Sequence, residues 1–162
     1  MVSQADSGDD RRTRIIERIQ AETGIDETMI ETLVHAFYGH VRADPLIGPV
    51  FTARITDWDV HLQRMCEFWS SVVLMSGRYH GAPMQKHAPL PVDGQHFDRW
   101  LELFRQTART VCPPAAAALF IERAGLIARS LELGIATANG VLLGRDQRYV
   151  MKPVLETTGV DE

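Results

Sequence analysis

Apolar residues recur every three or four positions through four long stretches of this chain, and paired prolines, glycines and acidic caps cut those stretches apart. Such a pattern builds helices that stack on one another and leaves little material for a sheet. Asp26 predicts an N-cap, after which Ile30, Leu33, Val34, Phe37, Tyr38 and Val41 share one face of a helix to about Arg42. Asp44-Pro45 and Gly48-Pro49 then break the chain into a tight corner that delivers Phe51. Asp57 caps the next helix, where His61, Met65, Phe68, Trp69 and Val72 lie together as far as Gly77. A loop leads to Met84–His87, which has length for one turn before Pro89 and Pro91 end it.

Asp93 starts a third long helix, with Phe97, Trp100, Leu101, Phe104 and Ala108 on its inner face. Pro113-Pro114 separates it from a fourth, striped by Leu119, Phe120, Ala124, Ile127, Leu131 and Ile135. Ahead of all these, Arg11 to Glu22 predicts a short helix stopped by Gly24, and the first ten residues are too polar to pack. After Gly140 the pattern decays into a tail. Val72 to Met75 has strand propensity, but the helical period on its N-terminal side outweighs it. The expectation is an all-α chain of four long and two short helices.

Composition narrows the function classes. A length of 162 residues suits one domain with a sizeable core, and 45% apolar with 23% charged residues is ordinary for a globular protein. The net charge of −4, with arginines interspersed among acids, offers no basic stripe for nucleic acid. Cys66 and Cys112 stand alone without a C-x-x-C, which argues against a zinc or dithiol site and suits a reducing compartment. No run approaches the roughly 20 apolar residues that span a bilayer, and the polar start is no signal peptide. The expectation is a cytoplasmic protein with no membrane and no nucleic-acid partner.

The segment from Asp57 to Trp100 carries the chemistry, because it sets His61 and His87 on opposite sides of one cavity. One neutral imidazole there can ligate a transition metal or a haem iron while the other faces a bound ligand. Each residue also has a plainer reading. A lone histidine after Lys86 is more often a surface residue, and His61 has the plainer, less favoured reading of a partly exposed helix-face histidine. Tyr38 and Trp100 are more often core, though each carries a polar handle that needs a partner once buried. Phe37, Phe51, Met65, Phe68, Met84 and Phe97 would be ordinary core in an apo bundle. His35, His40, His80 and His96 carry no functional expectation.

Four blocks bring a resemblance: H-A-F-Y-G-H-V-R-A-D-P-L-I-G-P-V-F, W-D-V-H-L-Q-R-M-C-E-F-W, Y-H-G-A-P-M-Q-K-H and H-F-D-R-W-L-E-L-F. In order and spacing, over about Asp26 to Ile135, they resemble the group III truncated haemoglobins. The paired-glycine motifs of the other truncated groups are missing, as they are in group III. The resemblance implies a shortened globin, a two-over-two helical sandwich around haem b (iron protoporphyrin IX). It divides the chain into an N-terminal extension over 1–25, partly disordered, a globin domain over 26–139 and a C-terminal tail over 140–162.

It also implies roles. His87 matches the proximal histidine that binds iron; Tyr38, His61 and Trp100 match the distal residues that meet the ligand. Phe37, Phe51, Met65, Phe68, Trp69, Met84 and Phe97 line the porphyrin. The implied ligands are dioxygen, nitric oxide, carbon monoxide and peroxide. Donors to a charged acceptor contribute roughly 1.5–3 kcal/mol each, so two would slow ligand release by about a hundred- to ten-thousand-fold. Slow release fits nitric oxide dioxygenase or peroxidase-like chemistry better than transport. No flavin or nicotinamide motif is present, so an external reductase is implied. Two other functions stay open: a gas-sensing or gas-buffering module, and an electron-transfer protein with His61 and His87 both on iron.

Overall fold

A computed structural model describes residues 7–153. Among them it has seven α-helices and no strand: α1 (Gly8–Thr23), α2 (Glu27–Ala43), α3 (Gly48–Arg54), α4 (Trp58–Trp69), α5 (Pro83–His87), α6 (Gly94–Val111) and α7 (Pro114–Ala138). α2 packs on α4, α6 packs on α7, and α2 lies against α6, so two helix pairs form two layers. The all-α, two-over-two expectation holds. No described helix is long and apolar enough to cross a membrane.

Local signals start and stop these helices. Asp26 and Asp57 cap α2 and α4, their side chains accepting from Met29 N at 2.8 Å and Val60 N at 3.2 Å. Gly24 ends α1 at φ 73°, a left-handed conformation that a side chain would strain. Ile30, Leu33, Val34, Phe37 and Val41 of α2 are buried with Phe104 and Ala108 of α6 and Phe120 and Ala124 of α7, which makes the main core.

Four features depart from the sequence expectation. The corner at Gly48-Pro49 is a seven-residue helix, α3, because proline is pre-set for a first helical turn, where its missing N–H costs nothing. α4 does not run regularly to Gly77: it passes into a π-turn at Ser70–Leu74 and ends at Met75, φ 57°. A π-turn adds a residue to the cycle and rotates everything after it relative to His61. Residues 8–10, expected to be too polar to order, form the first turn of α1 under a Ser7 N-cap; residues 1–6 lie outside the described residues. The segment after Gly140 has no regular structure, yet Tyr149 is buried against Val92, Ile135 and Ala136.

Candidate functional site

The site grows from one turn of α4. With Asp57 as cap, Trp58 and His61 stand three residues apart and share a helix face. That face meets Tyr38 of α2: the His61 and Tyr38 rings lie 5.1 Å apart at 89°, and Trp58 closes the triangle at 5.8 Å from His61 and 6.1 Å from Tyr38. The Arg42 guanidinium sits 4.4 Å over the Trp58 ring, one turn beyond Tyr38 on α2. α3 brings Phe51 edge-on to Tyr38 at 5.8 Å. Phe37 packs edge-on to Tyr38, to Trp100 and to Phe104, while Trp100 stacks on Phe104 at 5.4 Å and 13°. Tyr38, His61, Trp100, Phe37 and Phe51 therefore belong to one aromatic assembly.

Electrostatics sets the protonation of this assembly. Burial, and then the charges of Arg64, Lys86 and His87, push the His61 imidazole down to about 4, so it is neutral near pH 7. Its Nε2 is buried and has no hydrogen-bond partner. A buried polar atom left unpaired costs about 1–3 kcal/mol, so an unused atom of this kind points to an absent ligand. Tyr38 is 5% exposed; burial, with a smaller contribution from Cys66, raises its hydroxyl well above the ordinary tyrosine value and keeps it a donor. Burial and the carboxylates of Glu31, Glu27 and Glu67 push the Cys66 thiol up to about 11, which leaves it unreactive.

His87 ends α5. Its Nδ1 lies 2.6 Å from the Pro83 carbonyl oxygen, one turn back. A carbonyl only accepts, so Nδ1 carries the proton and the Nε2 lone pair is free to ligate. Among the described residues no three His, Cys, Asp or Glu converge to hold a bare metal ion. A metal bound by His87 would have to arrive within its own ligand frame.

The remaining expected lining residues are spread more widely. Met65 and Phe68 pack at the edge of the main core, with Phe68 also edge-on to Tyr79 at 5.2 Å. Trp69 is 2% exposed and stacked on Phe104 at 4.9 Å, inside the core beneath the assembly. Phe97 packs in a second apolar cluster with Val92 and Tyr149. Met84 lies with its thioether against Gly134 of α7, where a Cβ would have no room. Trp58 was not singled out by the sequence, although its i, i+3 relation to His61 was the available signal.

Residues 19–118 match the family model for bacterial-like globins. The chain is 33% identical over 109 residues to the group 3 truncated hemoglobin ctb of Campylobacter jejuni, covering 64% of this chain and 86% of that protein. It is 26% identical over 83 residues to the group 2 truncated hemoglobin YjbI of Bacillus subtilis, covering 50% of this chain and 63% of that protein. The crystal structure of a group III truncated hemoglobin from C. jejuni superposes with a TM-score of 0.63 at 32% identity, over 67% of this chain and 89% of that one.

Proposed function

This chain belongs to the bacterial-like globin family, among the group III truncated haemoglobins, and on that premise we propose that His87 binds the iron of haem b. Tyr38, His61 and Trp100 then form a polar distal site for dioxygen, nitric oxide or peroxide. The function we propose is slow-release oxygen chemistry or detoxification, with an external reductase, in the cytoplasm, where two unpaired thiols are at home. The globin domain would span 26–139, flanked by the two extensions.

One observation carries the haem reading: the His87 imidazole spends its Nδ1 proton on Pro83 and keeps Nε2 open. That tautomer is what a histidine ligand requires, and the carbonyl also fixes the ring's orientation. The unpartnered Nε2 of His61 fits a group bound on the other side. When bound, haem supplies an iron centre that takes diatomic ligands and exchanges electrons. Phe51, only partly buried, would supply apolar surface to such a flat ring, with Phe37 packed behind Tyr38 and Trp100, and each Å² removed from water contributes about 25 cal/mol.

On the distal side the chain supplies protons and shape. The Tyr38 O–H keeps its proton at every physiological pH, and the Trp100 indole is braced by Phe37 and Phe104. Both would be donors to an outer ligand atom that carries negative charge, and burial keeps the Tyr38 proton in place. Two such donors contribute roughly 3–6 kcal/mol together, which suits retention rather than delivery. A second reading, His61 and His87 both on iron, is favoured by the same free Nε2 of His61. Absorption spectra of the reduced protein with and without carbon monoxide separate the two. A five-coordinate ferrous spectrum that converts on carbon monoxide supports the open distal site; a six-coordinate low-spin spectrum supports the bis-histidine state; a protein that takes up no haem refutes both.

A further inference from the structure

The helix that carries His87 is five residues long, far below the dozen or so that hold a helix together in water. It depends on anchors at its two ends. At one, Met84 is seated on Gly134. At the other, Leu90 N donates to the His87 carbonyl at 2.9 Å, and the Leu90 and Val92 side chains enter the second apolar cluster. Four of the ten residues of that cluster come from the far end of the chain: Val141, Leu143, Tyr149 and Met151. These residues lie well beyond position 118, where the match to the family model stops.

The segment over 141–151 is pinned rather than draped. Arg148 Nε donates to both oxygens of Glu132 at 2.9 and 3.2 Å, and its Nη2 reaches the Gly94 carbonyl at 2.9 Å and Asp98 at 2.8 Å. Tyr149 N donates to Glu132 at 2.9 Å, Gly94 N donates to the Tyr149 carbonyl at 2.8 Å, and Met151 N reaches Asp93 at 3.1 Å. Glu132 is 2% exposed, and the docked segment supplies most of its partners, with Arg129 one turn back at 3.9 Å. Asp93 links the two functions: one oxygen caps α6 through Gln95 N, and the other holds Met151.

We infer that residues 141–151 are a strap that positions His87, with Arg148 and Tyr149 as its positioning residues. Docked, the strap covers Leu90 and Val92 and immobilises the stretch hydrogen-bonded to His87. Undocked, it exposes that apolar stretch and frees the histidine to swing. The inference rests on the reading of His87 as the haem ligand, and it predicts that the strap governs how firmly haem is retained.

The test uses Tyr149→Ala, Arg148→Met and, as control, Phe120→Leu, which loosens the main core away from the strap. Amide hydrogen exchange over 84–92, in the protein as purified, is expected to accelerate about ten-fold or more in the two strap variants and less than about two-fold in a control of matched global stability. Haem transfer to excess apomyoglobin should accelerate about ten-fold in the strap variants, equivalent to about 1.4 kcal/mol of lost retention. Unchanged exchange over 84–92 in Tyr149→Ala would overturn the strap, as would equal acceleration in Phe120→Leu. If Arg148→Met fails to fold because Glu132 loses its strongest partner, Tyr149→Ala alone decides. Failure of the unaltered protein to hold haem would refute the haem reading, while the exchange arm still decides whether the strap restrains the His87 segment.

Discussion

Replacing Asp44 by alanine tests the joint that fixes the geometry of the distal side. Asp44 is 5% exposed, at the end of α2, and its carboxylate accepts from Leu46 N at 3.1 Å, Ile47 N at 3.0 Å and Arg99 Nε at 2.7 Å. The bonds differ in what their loss costs. Ile47 is 2% exposed, so its N–H would be stranded in the core at about 1–3 kcal/mol. Arg99 is 35% exposed and returns to water, so the loss of its bond weighs less than the stranded Ile47 amide. Leu46 is 37% exposed and its N–H finds solvent, so its loss adds little. The expected total is about 2 kcal/mol, or a fall in Tm of about 4–8 °C for a chain of this size. Urea unfolding followed by circular dichroism would measure it.

Asp44→Asn, which keeps one acceptor for Ile47, should lose about half as much. The pH dependence gives a second check. Burial alone would raise the Asp44 carboxyl, but the Ile47 N–H, the Arg99 guanidinium and the Leu46 N–H outweigh it and hold the group below its ordinary range. With the folded value below the unfolded one of about 3.9, the stabilisation is present above that pH and is lost as pH falls through the folded value. A loss below about 1 kcal/mol in Asp44→Ala, or a loss that does not shrink in acid, would refute the reasoning.

Three further outcomes are expected. In haem-loaded protein, Tyr38→Phe and Trp100→Phe should each speed dioxygen release about 10- to 100-fold by stopped flow, one donor's contribution apiece; unchanged rates in both would remove them from the distal site. His61 in haem-free protein should show a neutral ring by NMR down to about pH 5, consistent with a value of about 4. Because that lies below the unfolded histidine value, its contribution to stability is complete above about pH 6.5 and fades as pH falls toward 4. Gly134→Ala should push aside the flexible end of the 36% exposed Met84 side chain and raise hydrogen exchange over residues 84–88, with little cost to global stability, because the thioether can swing away and alanine gains about 1 kcal/mol over glycine within a helix; an unperturbed segment would show that Met84 is no anchor.

What the sequence revealed, and what it hid, follows physical lines. Helices α2 and α6 were legible because caps and apolar period agree, and α7 because Pro114 marks its first turn; Asp93 begins α6, and His96 Nδ1 completes the cap by accepting from Asp93 N at 3.0 Å. α3 was obscured because Gly48-Pro49 reads equally as a turn or as a helix start. The π-turn at Ser70–Leu74 leaves no pattern, since a one-residue shift within five residues is shorter than any period. The pairing of Tyr38 with His61 followed from the family likeness, whereas the Trp58–Arg42 contact depends on how α2 crosses α4. The strap was hidden because its partners are distant in sequence: Glu132 in an amphipathic helix looks like any surface carboxylate until Arg148 closes over it.

The proposed function depends on a bond between His87 and a haem iron, and the most direct measurement is haem titration of the unaltered protein and of His87→Ala, followed at the Soret band. The expected result is stoichiometric uptake by the first, loss of the native band in the second, and its recovery when imidazole is added to fill the vacated place. Identical Soret spectra and haem affinities for the two proteins would contradict it.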